Sequence, residues 1–434
     1  MLIRFSVENF RSIDRRTELS LVALDRGSPA SRLVPGLDEE FLTLVGIFGP
    51  NASGKSNVLA AIRWLKDAVA RSLRTWDEGI PVDQFSFNPD SGIATTFEVE
   101  YVIDGVRFDY QLEVTADEVL YEGLFHYPHG RRRRVFERNR LELVLQDGLG
   151  ALSGARKLLT PRSLMLSIAR RFREELTLSF ADAVVGIQAL GLSRQRRGSF
   201  GGGPAVYGGR FSTGSRWFQQ AENVDDDDTD DFEDPSDRQM PSKLRDQGIA
   251  LLRMADLGIV DVQVIRDDTA EAAGVPAAVA RRTQFIHASG DERFALDMAE
   301  ESAGTRTWFN LVGPVLEALR SGGVLIFDEI DASLHPRLSA ALLGLFSSPE
   351  TNQKNAQLIF TSHDASLLAR LNRDQVWLTE KNRRGATELV PLTDFGGERV
   401  RRSQNLEKGY LEGRFGGIPD VDLVTVYRAL GLMS

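Results

Sequence analysis

The stretch Gly49-Pro50-Asn51-Ala52-Ser53-Gly54-Lys55-Ser56 constrains this chain more than any other feature, because it fits the pattern G-x-x-x-x-G-K-[ST]. It follows an apolar run at 42–48. It precedes a segment of helical periodicity at 57–72, carried by Val58, Leu59, Ile62, Leu65 and Val69. A strand that turns into a helix through two glycines builds an anion cradle. Gly49 and Gly54 allow the backbone to aim successive N–H groups inward, and the helix adds its positive end. In that setting Lys55 is expected to reach the β- and γ-phosphates of a nucleotide, and the Ser56 hydroxyl to ligate Mg²⁺. Asn51, Ala52, Ser53 and Asn57 complete the expected phosphate-binding set.

A continuous apolar run, Val324-Leu325-Ile326-Phe327, reads as a buried parallel strand and ends in Asp328-Glu329. At its carboxyl end Asp328 would face the Mg²⁺, and Glu329 would orient or polarise an attacking water. A further apolar strand, Leu358-Ile359-Phe360-Thr361, ends in Ser362-His363. His363 is expected to hydrogen-bond the γ-phosphate or the water, whereas His126, His129 and His287 read as structural. Glu301-Ser302-Ala303-Gly304-Thr305 precedes a helix, with Ser302 as N-cap and Gly304 in the first turn, making a second anion-binding helix end.

The spacing predicts two strands in 1–24 joined by the polar turn Glu8-Asn9-Phe10-Arg11-Ser12, and one strand at 41–48. A hairpin at 93–125 turns at Asp104-Gly105. Residues 155–192 turn helical. Periodicity is lost over 195–245, where a Gly- and Arg-rich stretch runs into the acid tract 225–237, and this segment reads as a mobile insertion. Order returns with a helix at 241–256, strands at 259–265 and 283–296, and a helix after 302. The expected architecture is an α/β ATPase head, a mixed sheet with an antiparallel β subdomain. Its segments are an N-terminal lobe at 1–150, a helical insertion at 151–250 with a disordered stretch near 195–240, and a C-terminal lobe at 251–434.

The net charge is −10. The acid tract alone supplies most of it, so the rest is nearly neutral and contact with nucleic acid is not excluded. The absence of cysteine rules out disulfides, thiolate zinc sites and cysteine nucleophiles. No apolar run suits a membrane span and the first residues lack a secretory h-region; a soluble, cytoplasmic chain with no membrane partner is expected.

In this order the motifs resemble the ABC-type ATPase heads of the RecF/SMC group, more specifically the AAA-named ATP-binding proteins of prokaryotic defence loci related to RloA, AbiL and OLD ATPases. Val7-Glu8-Asn9-Phe10-Arg11-Ser12 is similar to the family's opening strand and turn, which implies a nucleotide contact for Arg11. Residues 49–56 match Walker A, 301–305 the signature, 324–329 Walker B with its catalytic Glu, 331–335 the D-loop and 361–363 the switch His. The signature departs from Leu-Ser-Gly-Gly-Gln but keeps Ser302 and Gly304. Gln84 is a candidate Q-loop residue. Residues 409–419 look like the tail of ATPases that accompany a small RloB-type or Toprim-type nuclease. The resemblance implies ATP with Mg²⁺, paired heads in a homodimer or higher even-numbered assembly, and a separately encoded nuclease effector as partner. Its sensor role in abortive infection stands beside two alternatives. One is a RecF-like DNA-clamping ATPase, with Arg131, Arg132, Arg133, Arg134, Arg138 and Arg140 on DNA phosphates; the other is an ATP-bound assembly scaffold.

Overall fold

Alternation of apolar and polar residues along 2–24 and 93–145 produces an antiparallel sheet, as expected for one buried and one wetter face. The computed structural model describes residues 1–25, 27–88, 92–172, 174–192, 214–215, 217–218, 240–266, 281–395 and 405–416, with 428 and 430. The expected mobile insertion and its acid tract lie almost wholly outside the described residues. The seven-stranded antiparallel sheet orders Glu142–Leu145, Arg133–Asn139, Val119–His126, Val106–Val114, Thr95–Ile103, Leu2–Glu8 and Thr17–Ser20. Its Asp104-Gly105 turn has both residues at positive φ, 49° and 76°, as a tight two-residue hairpin requires.

A second sheet orders Gln188–Leu190, Val324–Phe327, Gln357–Ser362, Leu44–Phe48, Val376–Lys381 and Thr387–Pro391, parallel except for the last pairing. Both faces are covered, which explains the unbroken apolar runs in its strands. Val45, Ile47, Val324, Ile326 and Ile359 enter the core shared with the helix Lys55–Thr75 and the antiparallel sheet. Leu44, Phe48, Leu325, Phe327, Leu358 and Phe360 enter the opposite core with the helices Ala303–Ser321 and Pro336–Ser347. The sheet draws strands from all three of the expected segments.

Some expectations are corrected. The run 41–48 is two strands, Glu40–Leu42 pairing with Ser31–Leu33, and Leu44–Phe48 in the parallel sheet. The helical reading of 155–192 stops at Val185; after Gly186 the chain pairs Gln188–Leu190 alongside Val324–Phe327, so tertiary pairing overrides the helical period there. Residues 283–296 form a hairpin, Arg281–Ser289 and Glu292–Asp297, turned at Gly290, and Ile259–Arg266 completes a three-stranded sheet. Among the described residues no helix is long and apolar enough to cross a membrane.

The antiparallel sheet holds a buried ion pair. Glu122 and Arg138 are both fully buried, 3.6 Å apart. The Glu122 carboxylate accepts from the amides of Met165 (2.6 Å) and Leu166 (2.8 Å) and from the Tyr110 hydroxyl (3.0 Å). Arg138 donates to the carbonyls of Arg140, Ser163 and Thr160. Burial pushes the Glu122 carboxyl upward, with Arg138 acting against it. Removing one partner strands a charge, so Arg138→Ala is expected to destabilise the protein by about 3–5 kcal/mol in urea unfolding. Arg138→Met combined with Glu122→Gln removes both charges and should recover part of that loss, the rest being held back because the carboxamide keeps one acceptor oxygen for Leu166 and Tyr110 and turns a donor toward the Met165 amide.

Candidate active site

Leu44–Phe48 delivers Gly49 at its carboxyl end, and the loop reaches the helix at Gly54. Gly49 has φ 151° and Gly54 φ 106°. A Cβ on Gly49 would stand 2.4 Å from the Thr379 carbonyl, and one on Gly54 would stand 2.0 Å from Thr387 Oγ1. Glycine is therefore demanded twice over, by conformation and by space. Ala52 also takes positive φ, 61°. Behind the loop, Thr379 Oγ1 lies 2.6 Å from Ser53 Oγ and donates to the Phe48 carbonyl at 3.2 Å, while Thr387 Oγ1 bonds the Ser53 carbonyl at 2.8 Å. With the loop so clamped, the amides of Asn51, Ala52, Gly54, Lys55 and Ser56 have no acceptor among the described residues. Such inward, unsatisfied donors at a helix N-terminus form an anion nest.

Lys55 is 4% exposed. Its Nζ donates to the carbonyls of Gly49 (2.8 Å) and Pro50 (3.0 Å) and lies 3.2 Å from His363 Nδ1. Burial lowers its pKa to about 8, with Asp328, Asp331 and Glu329 opposing the shift. His363, whose ring touches Lys55 and whose amide bonds Asp331, links the acids after Val324–Phe327 to the lysine of the loop, although one strand separates the two.

The intervening strand, Gln357–Ser362, supplies the link. Thr361 Oγ1 donates to Asp328 Oδ1 at 2.7 Å and accepts from the Glu329 amide at 2.7 Å. The other Asp328 oxygen has no hydrogen-bond partner among the described residues, and neither does the exposed Glu329 carboxylate. Glu329 has φ 54°, a left-handed conformation that costs a residue with a Cβ and recurs where a side chain must be aimed. Both Asp331 carboxylate oxygens accept from the His363 amide at 3.2 Å, so Asp331 holds His363 in place. His335 instead caps the helix Pro336–Ser347, accepting from the Arg337 amide at 3.2 Å. An open carboxylate on Asp328 and a hydroxyl on Ser56 are hard oxygen donors, the set Mg²⁺ prefers.

Ser302 caps Ala303–Ser321, its Oγ accepting from the Thr305 amide at 3.1 Å. Ser302 and Gly304 are exposed, and a Cβ on Gly304 would meet nothing nearer than Ser302 Oγ at 3.8 Å. Among the described residues no hydrogen bond joins this helix end to the loop of its own chain. Arg11, at φ 51°, pairs with Asp83 at 3.3 Å. It lines a cleft of about 760 Å³ beside the loop, with Ser12, Asn57, Gln84, Phe85, Phe87 and Lys381. Asn57 Nδ2 bonds Ser12 Oγ at 2.6 Å, tying the turn to the helix. Gln84 donates to the Ile93 carbonyl at 2.7 Å within this cleft.

The expected arginine patch is largely committed elsewhere. Arg138 is buried with Glu122, Arg132 stacks 3.5 Å over Phe125, Arg134 pairs with Glu137 and Arg140 with Glu118. In the tail, the helix Leu406–Leu411 packs on the segment Ala365–Arg370, Tyr410 and Phe415 enter the core on that face of the parallel sheet, and residues 417–419 lie outside the described residues.

Among solved structures the chain is similar to the SMC head bound to the C-winged helix domain of ScpA, at 12% identity and TM-score 0.46, covering 90% of this chain and 97% of that one. It is likewise similar to the SMC head domain from Thermotoga maritima, at 13% and 0.38, covering 90% and 98%. A third is the Pyrococcus furiosus SMC head with an extended coiled coil bound to the C-terminal domain of ScpA, at 13% and 0.42, covering 90% and 95%. Comparison with curated proteins gives no match. A family model described as "AAA domain, putative AbiEii toxin, Type IV TA system" matches residues 44–164 and 170–369, which hold the loop 49–56, the helix Ala303–Ser321 and the strand ending at Asp328-Glu329. The match takes in well over half of the sequence, and the chain belongs to that AAA-domain family.

Proposed function

We propose that this chain binds ATP with Mg²⁺ in the loop 49–56 and hydrolyses it against a second copy of itself, and that it regulates a separately encoded nuclease in an anti-phage system. The observation that carries the reading is the convergence of Lys55, Asp328, Glu329 and His363 from neighbouring parallel strands onto a nest of unsatisfied amides. Lys55 and the nest hold the phosphates, and the basic, aromatic cleft at Arg11, Phe87 and Lys381 takes the base and ribose. Ser56 and Asp328 would hold Mg²⁺, which when bound neutralises phosphate charge and polarises the bond to be broken. Glu329 orients the attacking water and accepts its proton, while His363, steered by Asp331, senses the γ-phosphate. The exposed Ser302–Gly304 helix end of the second copy closes the site, so ATP acts as glue and hydrolysis as release. The regulatory role draws on the family's toxin–antitoxin description and on a head with no nuclease motif of its own.

Light scattering with a non-hydrolysable ATP analogue and Mg²⁺ is expected to show nucleotide-dependent pairing. Ser302→Arg should abolish that pairing while leaving nucleotide binding by one subunit intact. Plaque counts with and without the gene of that separately encoded nuclease then test regulation: protection should need both the gene and Lys55. A chain that retains no adenine nucleotide, or pairs equally without it, overturns the reading.

A further inference from the structure

Beyond the nucleotide site, three segments bring Asp256, His287 and Glu301 together. One ligand atom from each lies within 4.8 Å of the others, and all three residues are partly buried. Asp256 sits in the turn after Met240–Leu252, His287 in the central strand of the small sheet, and Glu301 directly before the cap Ser302. His287 Nε2 and Glu301 Oε1 are 2.5 Å apart, with the Glu301 side chain only 6% exposed. No Lys or Arg forms a salt bridge with Asp256 or Glu301 among the described residues; Glu301 meets the imidazole, and Asp256 Oδ1 accepts from the Gly258 amide at 2.8 Å. Gly258 keeps the space between them open: a Cβ there would come within 3.1 Å of Asp256 Oδ1 and 3.2 Å of His287 Nδ1. His287, expected to be structural, thus has two acids within reach.

We infer that Asp256, His287 and Glu301 bind a divalent transition metal of the Zn²⁺ or Mn²⁺ class, distinct from the Mg²⁺ of the nucleotide site. One imidazole and two carboxylates suit such an ion better than Mg²⁺ or Ca²⁺, which favour oxygen alone. Ligand distances of about 2.0–2.2 Å around a tetrahedral ion require the His287–Glu301 pair to exchange its hydrogen bond for the ion and open by roughly 1 Å, leaving a fourth position for water. The ion supplies positive charge beside two carboxylates that no Lys or Arg pairs among the described residues. By joining Glu301 to the small sheet it also pins the N-terminal end of Ala303–Ser321. If the proposed function holds, the same pin sets how readily that end closes over the nucleotide of a second copy.

Zn²⁺ titration of the full chain without nucleotide tests the site. Wild type and Lys55→Ala should each bind one equivalent at this site, because Lys55 takes no part in it. Glu301→Gln and Asp256→Asn, which preserve shape, should each lose it or weaken it at least about tenfold. His287→Ala should lose it altogether, with circular dichroism confirming that the variant is folded. Hydrogen exchange across 299–306 should slow on adding Zn²⁺ in wild type and not in Glu301→Gln. Equal affinity in wild type and the three ligand variants overturns the site, whether or not ATP binds; binding without protection of 299–306 overturns the pin.

Discussion

Lys55→Ala should reduce ATP hydrolysis by about 10²–10³-fold, the loss expected when one preorganised charged donor is removed from a water-poor site. Nucleotide retention should fall with it. The lysine is already held against the Gly49 and Pro50 carbonyls, so only its contact with His363 has to be exchanged when phosphate arrives. Its pKa, lowered to about 8 chiefly by burial, adds a second readout. A base in that position loses its proton as pH rises through about 8, so affinity for the triphosphate should be flat below that pH and fall above it. Arginine stays charged throughout, so Lys55→Arg should lose the decline whatever its absolute affinity. Fluorescent-nucleotide titration across that range measures both effects, with thermal unfolding to show that the variants fold. Unchanged turnover in Lys55→Ala would remove the loop from the chemistry.

Residues adjacent in sequence announce this site; residues that support it do not. The loop 49–56 and the acids 328–329 could be read because the phosphate cradle and the strand that presents the acids are local patterns with a known mechanical purpose. Thr361 could be seen only as the end of an apolar strand, yet it hydrogen-bonds both Asp328 and the Glu329 amide. Thr379 and Thr387 lie more than 300 residues from the loop they brace, and nothing in their surroundings marks them. Gly191 is similar. At φ 76°, it is a position where a Cβ would stand 2.2 Å from the Asp328 carbonyl, yet from sequence it ends an apparent helix. Short strands suffer most, because Gln188–Leu190 owes its conformation to Val324–Phe327 rather than to its own composition. Long alternating segments such as Thr95–Ile103 and Val106–Val114, by contrast, could be read with their turn.

Glu329→Gln should separate holding ATP from cleaving it. The substitution keeps volume and leaves the Glu329 amide on Thr361, so the left-handed backbone at this position need not change. What disappears is the exposed carboxylate, which has no other partner among the described residues and is thus available to a water. Loss of a positioned general base typically lowers turnover by about 10²–10⁴-fold. Nucleotide binding, which depends on Lys55 and the amide nest, should persist, so paired subunits should accumulate with ATP rather than ADP. Lys55→Ala predicts the opposite population, single subunits without nucleotide, and the two variants together distinguish a failure to bind from a failure to release. Wild-type turnover in Glu329→Gln would transfer the water to another group, with His363 next in line. Full phage protection by the non-hydrolysing variant would favour an ATP-held scaffold, because a switch that cannot reset should protect only in part.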